Sequence, residues 1–327
     1  MTDNSRPIDL QFCPLDERLA IDPLRSLESE MGQRADSPAG AKDEKPGRGG
    51  GKPVTLYTPH GHLGIGLAAW REMILELVAS RELTWRFLMR DISARYRQSV
   101  FGYLWAILPA LLTTVTFTWL NRANVLPVKG TTLPYPVFVL LGMSVWQLFA
   151  TGLTNATQSL VNAGTLISKI GFPRETLVIA AFGQSVFDSL IRIALLAAAF
   201  ALYRVVPSPA VVLIPVMLVP LCLLTLGLGL LFALLNGVLR DMGQMVTFGL
   251  MFGMFLTPIV YPAEGVKSWL MGLNPVSPFV IAAQDLTTKG HLSQPAAYAG
   301  ATLFSAAVFL VAWRIFHLTE PRIAERV

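Results

Sequence analysis

Charge is the first thing this chain is short of. Lys, Arg, Asp and Glu supply 14% of its 327 residues, against about 25% in an ordinary soluble domain. With 53% hydrophobic residues beside them, that shortage excludes a water-soluble fold and points to an all-α polytopic membrane protein. Cysteine is scarcer. Cys13 stands in a polar tail and Cys222 within an apolar run, so neither a disulfide framework nor a metal cluster is expected. Before residue 54 there is no apolar core, and Asp3, Asp9, Asp16 and Glu17 stand where a cleavable signal peptide would need one. A nucleotide loop is missing too. GRGGGKP at 47–53 looks like one, but that loop needs Gly five places before its last Gly and Ser or Thr after its Lys, where this chain has Pro46 and Pro53.

What the chain does have is a basic amphipathic stretch that runs without a spacer into a long uncharged one, RELTWRFLMRDISARYRQSVFGYLWAILPALLTTVTFTWL at 81–120. At about 100° per residue, Trp85, Leu88, Met89, Ile92 and Tyr96 fall on one apolar stripe, Arg86, Arg90, Ser93 and Arg97 on a flank, and Phe87 on the far side. Such a helix lies at a headgroup boundary, apolar side chains down and guanidinium groups in water or on lipid phosphates. HLGIGLAAWREMILELVA at 62–79 suits a second short helix beside it, with Trp70, Met73, Ile74, Leu77 and Val78 on one side. Residues 1–53 are rich in charge, Gly, Pro and Ser and too poor in apolar surface to fold alone. The expected division is a disordered cytosolic tail at 1–60, interfacial amphipathic helices at 61–100, a six-span transmembrane domain at 101–316 and a cytosolic tail at 317–327.

Six apolar runs approach or exceed the about 20 residues that cross hydrocarbon: 101–121, 134–155, 176–203, 211–235, 245–261 and 296–313. In the fourth, Pro215, Pro220, Gly227 and Gly229 suggest kinks and close helix contacts. Between the fifth and sixth, VKSWLMGL and PFVIAAQDL are too short to cross and suit re-entrant helices. An even number of crossings puts both termini on one side. Arg81, Arg86, Arg90, Arg95, Arg97, Lys169, Arg174, Arg240, Arg314, Arg322 and Arg326 share that side, against Arg122, Lys129, Arg204, Lys267 and Lys289 opposite. That bias makes both termini cytosolic. The net charge of +5 is thus explained by the membrane, and no nucleic-acid partner is implied. The third run holds Asp188 and Arg192, four apart with the acid first, the orientation that suits an intrahelical pair. A mutually neutralising structural pair and a substrate contact both fit.

Four patches, in order along the chain, resemble the permease subunits of type-2 ABC exporters, and within them the exporters of O-antigen, capsule and teichoic acid. RDISARYRQSVFGYLWAILPAL at 90–111 resembles the family's basic interfacial helix entering the first span, and LISKIGFPRE at 166–175 its first cytosolic coupling segment. LRDMGQ at 239–244 resembles the second cytosolic turn, and FLTPIVYPAE with NPVSPF, at 255–264 and 274–279, the end of the fifth span and its re-entrant region. The second turn departs from the family pattern, with Gly237, Val238 and Leu239 where a further Arg and an aromatic residue are usual.

The resemblance implies a homodimer in the bacterial inner membrane, bound to two copies of a separate cytosolic ABC ATPase. That ATPase would bind ATP and magnesium, so this chain would be a non-catalytic permease with no cofactor or metal of its own. Its substrate would be a lipid-linked polysaccharide. Lys169, Phe172, Pro173, Arg174 and Glu175 in the first segment, with Arg240 and Asp241 in the second, are the implied ATPase contacts; topology charge and a helix cap also account for the first set. Arg86, Arg90, Arg95, Tyr96 and Arg97 form a candidate entrance that either guides the pyrophosphate of the glycan lipid or anchors on anionic membrane lipids. Tyr103, Trp105, Phe117, Trp119, Trp146 and Phe149 could line a channel, because aromatic faces stack on sugar rings and let a polymer slide. Interfacial belts collect the same residues. An enzyme acting on lipid-linked sugars would need clustered acids or histidines, whereas Asp91, Glu175, Asp188, Asp241, Glu264 and Asp285 are scattered. An ion-coupled carrier would want more intramembrane titratable groups. Export of a drug or another lipid stays open within the family.

Overall fold

Helix is the structure that satisfies every backbone hydrogen bond within one segment, and it is what an apolar chain must form in lipid. The computed structural model describes residues 67–97, 102, 104–125, 127–128, 130–131, 133–164, 172–263 and 274–323, all within the unit Leu56–Val327, and every regular element among them is helical. The expected tail at 1–60, Tyr103, Lys129, Lys169, Glu264, Lys267 and the VKSWLMGL piece lie outside the described residues.

Among the described residues, two helices precede the bundle, α1 (Leu67–Ala79) and α2 (Arg81–Arg97). The bundle itself is α3 (Leu104–Arg122), α4 (Tyr135–Asn162), α5 (Glu175–Leu202), a 3-10 turn at Pro209–Leu213 running into the short α6 (Ile214–Met217), α7 (Val219–Val238), α8 (Met242–Leu256), α9 (Ser277–Thr288) and α10 (Pro295–Ile323). Among the described residues, five stretches are long and apolar enough to cross a membrane: Leu104–Arg122, Tyr135–Asn162, Glu175–Leu202, Pro209–Val238 and Pro295–Thr319. Helix α4 is the centre. It is buried along most of its length and packs on α5 and α7, while α10 packs on α7.

Three boundaries differ from those read in the sequence, two of them for a physical reason the structure shows. The second run is expected to end at 155, where the sequence turns polar; α4 continues to Asn162 because those polar side chains bond back to their own helix. Thr157 Oγ1 donates to the Leu153 carbonyl at 2.7 Å, and Ser159 Oγ to that of Ala156 at 2.7 Å. In the fourth run, Pro215 and Pro220 fall in the first turns of α6 and α7 and so start new helices instead of kinking one. At the C-terminus, α10 runs through 317–323 as helix.

The fifth run is the unusual one. Helix α8 has 15 residues and spans about 22 Å, short of about 30 Å of hydrocarbon. Pro258, which has no N–H to offer, ends the helical ladder, and the chain continues in irregular form to the level of the first residue of α4. There Tyr135 Oη donates to the Val260 carbonyl at 2.9 Å, and Ile259 lies against Gly142. Side chains satisfy the exposed backbone: Gln284 Nε2 donates to the Pro258 carbonyl at 3.1 Å, and Tyr261 Oη to that of Phe255 at 2.8 Å. Asn274 Nδ2 donates to Thr257 Oγ1 at 2.6 Å, which holds the start of α9 beside the break. Helix α9 is buried over most of its length, from Ser277 to Thr287.

Candidate functional site

The residues assigned in the sequence to an entrance and to a coupling segment meet at one end of the bundle. There α1, α2, the segment before α5 and the last turns of α10 share a small apolar core of Met73, Phe87, Phe172, Leu177, Trp313 and Phe316, among others. Phe87 and Phe172 have ring centroids 5.4 Å apart, and the Arg90 guanidinium sits 5.1 Å over the Phe87 ring. Phe87 is therefore the residue that α2 buries, against the expectation from the helical wheel, while Trp85 is 59% exposed. The wheel assumes one apolar face; α2 has two, because it packs on protein through Phe87 and Leu88 and leaves Trp85 exposed. Helix α1 likewise buries Met73 and half-buries Trp70 and Leu77, with Ile74 and Val78 outward.

The entrance arginines have acidic neighbours on the protein. Arg86 Nη2 bonds Glu82 at 2.6 Å in an exposed pair, and Arg90 Nη2 meets Asp91 at 2.8 Å. Arg95 Nη1 donates to Asp188 Oδ2 at 2.7 Å across 93 residues of sequence. Arg97 is exposed, and the side chain of Tyr96 lies outside the described residues. Reading α5 alone gives Asp188 one obvious partner, Arg192, whereas the structure brings Arg95 of α2 to it. Arg192 Nη2 donates to Ser189 Oγ at 2.8 Å, and Nη1 to the Ala106 carbonyl of α3 at 3.4 Å. Asp188 and Arg192 are both 2% exposed. They head a polar seam between α2, α4 and α5 in which Asn155 Nδ2 donates to Ser185 Oγ at 2.9 Å and Gln184 Nε2 to the Asp91 carbonyl at 3.4 Å.

The coupling residues divide by burial. Arg174, Glu175 and Phe172 are buried and Pro173 is half-buried, while Arg240 and Asp241 are exposed in the turn before α8. Glu175 Oε2 accepts a hydrogen bond from Trp313 Nε1 at 2.8 Å, and Oε1 lies 3.3 Å from His317 Nδ1. Trp313 and His317 are residues that sequence reasoning missed; a Trp and a His one turn apart near the charged end of an apolar run were the available signal. Glu76 of α1 stands near this group. Burial raises its carboxyl above the ordinary value, His317 pulls it back, and Glu175 and Glu72 add to the rise. Asn236 was missed as well. Its Nδ2 donates to the Thr157 carbonyl at 3.1 Å and its Oδ1 accepts from Gly243 N at 3.0 Å, which pins the Arg240 turn to α4.

The channel candidates part in the same way. Trp105 and Trp119 face outward, Phe117 is half-buried, and Trp146 and Phe149 are buried in the core of the single chain. Trp146 packs over Gly253 of α8 and lies 5.6 Å, centroid to centroid, from Phe149. Among the described residues no cluster of His, Cys, Asp and Glu could hold a metal ion.

The ABC-2 type transporter family model matches residues 82–287. The chain is also similar to an O-antigen export system permease protein of Klebsiella pneumoniae, 27% identical over 242 residues that cover 72% of this chain and 91% of the relative. A second such permease from the same organism is 28% identical over 209 residues, 62% of this chain and 79% of the relative. One from Myxococcus xanthus is 25% identical over 264 residues, 78% and 99%.

Proposed function

This chain belongs to the ABC-2 type transporter family, and from that premise we propose that it is the transmembrane subunit of an ATP-driven exporter of lipid-linked polysaccharide. The observation that carries the reading is its likeness to O-antigen permeases along most of the membrane bundle. The absence of a Walker loop in the full sequence supports a motor in another polypeptide.

In the finer reading, two copies of this chain sit in a bacterial inner membrane with two copies of a cytosolic ATPase that binds ATP and magnesium. Six crossings with both termini cytosolic follow if α8 and the irregular stretch after it cross together, with α9 as a re-entrant helix. Arg240 and Asp241, exposed in their turn, present charge to the ATPase. Phe172 and Glu175 act from inside, tying the coupling segment to α2 through Phe87 and to α10 through Trp313. Arg86, Arg90 and Arg97 draw the anionic headgroup of the glycan lipid to the entrance.

The test is loss and return of surface polysaccharide. Deleting the gene removes polysaccharide from the cell surface and leaves lipid-linked glycan inside. The intact gene restores export, and the Arg90→Gln/Arg95→Gln chain inserts normally yet restores little. Unchanged surface polysaccharide in the deletion strain contradicts the reading.

A further inference from the structure

Helix α2 runs alongside α5 in parallel. Asp91 meets Gln184 and Arg95 meets Asp188, both at a sequence offset of 93. Apolar packing joins them as well: α2 lies along α5, Phe87 shares a core with Leu177 and Val178, and Leu88 rests on Gly183, whose added Cβ would lie 3.2 Å from a Leu88 methyl carbon. A shallow groove lined by Arg81, Thr84, Trp85, Ile179 and Ala180 separates the helices toward the basic end. The charge-assisted bond between Arg95 and Asp188 is the strongest link between them.

That link has an asymmetry. The Asp188 side chain is 3% exposed and the Arg95 side chain 40%, so the carboxylate is fixed and the guanidinium can be reached from outside. Removing one partner of a deep ion pair normally strands a charge at a cost of several kcal/mol. Here Arg192 stands one turn along α5 from Asp188, itself buried, its guanidinium bonded to Ser189 Oγ and the Ala106 carbonyl, so a second cation lies within one helical turn when the first departs. Arg95 can therefore change partners without leaving the carboxylate uncompensated.

We propose that Arg95 and Asp188 form a releasable latch between α2 and α5, opened when a phosphate group competes for Arg95 while Arg192 holds Asp188. The inference rests on the export reading for the identity of the competitor, the pyrophosphate of a lipid-linked glycan. Phosphate oxygens suit the exchange because they accept the same forked guanidinium donors that a carboxylate does. Opened, α2 moves from α5 and widens the groove at Trp85; closed, as here, it keeps the groove shallow.

A disulfide reads the latch without transport. In the full chain with Cys13→Ser and Cys222→Ala, Leu88→Cys and Gly183→Cys place two thiols across the contact, since an added Cβ at 183 lies 3.8 Å from Leu88 Cγ. Removing the Leu side chain also relieves that crowding. In vesicles of neutral phosphatidylcholine this pair oxidises readily. Asp188→Asn or Arg95→Gln on that background slows oxidation about tenfold, the loss of one charge-assisted bond. Long-chain polyprenyl pyrophosphate in the vesicles slows the parent to a similar degree, adds nothing to the Arg95→Gln variant, and is not replaced by inorganic pyrophosphate. If the cysteine pair fails to insert, spin labels at Trp85→Cys and Val186→Cys, both exposed, report the same separation. Equal rates in the parent, Asp188→Asn and Arg95→Gln chains overturn the latch. Dependence on Asp188 without any response to the pyrophosphate lipid overturns the phosphate competitor alone; the export reading falls only if the deletion strain keeps its surface polysaccharide.

Discussion

At the scale of single residues, the buried carboxylate of Glu175 has the clearest consequence. Trp313→Phe keeps a ring beside Trp70 and Phe309 but removes the indole donor to that carboxylate. It is expected to cost about 1–3 kcal/mol, read as a lower unfolding midpoint of the detergent-solubilised protein; an unchanged midpoint would deny Glu175 its tie to α10. Glu76 gives a pH dependence. Its carboxyl is raised above the ordinary value of 4.5, so the folded state binds its proton more tightly than the unfolded chain does. That contribution is present below 4.5 and is lost as pH rises through the raised folded value. Glu76→Gln should thus raise the melting midpoint near neutral pH and leave it unchanged in acid, and a midpoint that shifts equally at both would show that charge is not the cause. The sequence marks Glu175 as a helix-start acid; that Trp313 and His317 reach it from the other end of the chain cannot be read from spacing.

At the scale of elements, α7 is threaded between two neighbours by glycines two residues apart, which lie on nearly opposite sides of a helix. A Cβ at Gly227 would lie 2.8 Å from the Phe309 Cα of α10, and one at Gly229 2.6 Å from the Ala156 Cβ of α4. Backbone cannot yield as a side-chain tip can, so Gly227→Ala is expected to cost about 1–3 kcal/mol. A midpoint like that of the wild type would mean that α7 and α10 are further apart than the structure has them. Helix α8 carries a second test. With the natural cysteines removed, Gln244→Cys should react with a membrane-impermeant maleimide from the cytosol and Ala263→Cys from outside; labelling of both from one side would reduce the crossings to five. Five long helices were legible as hydrophobic runs, but the fifth run, read as unbroken over 245–261, ends as helix at Leu256 before Pro258. What the runs did not reveal is how that break survives in lipid, since Tyr135 and Gln284 satisfy its carbonyls from α4 and α9.

At the scale of the whole molecule, this is a helical membrane bundle whose basic end gathers the entrance helix, the coupling segment and the end of α10 around one apolar core. The sequence named Met73, Phe87 and Phe172 of that core but sorted them into separate sets. Arg95 was read as an entrance group and Asp188 as half of an intrahelical pair, and only the parallel packing of α2 on α5 joins them. The account depends on a division of labour in which this chain conducts and another polypeptide hydrolyses. The direct measurement is reconstitution of the purified chain in sealed vesicles, with and without its ATPase, followed by the ATP-dependent transfer of lipid-linked glycan across the bilayer. Transfer and ATP hydrolysis should both require the two proteins together. Glycan transfer or nucleotide hydrolysis by this chain alone would contradict the account.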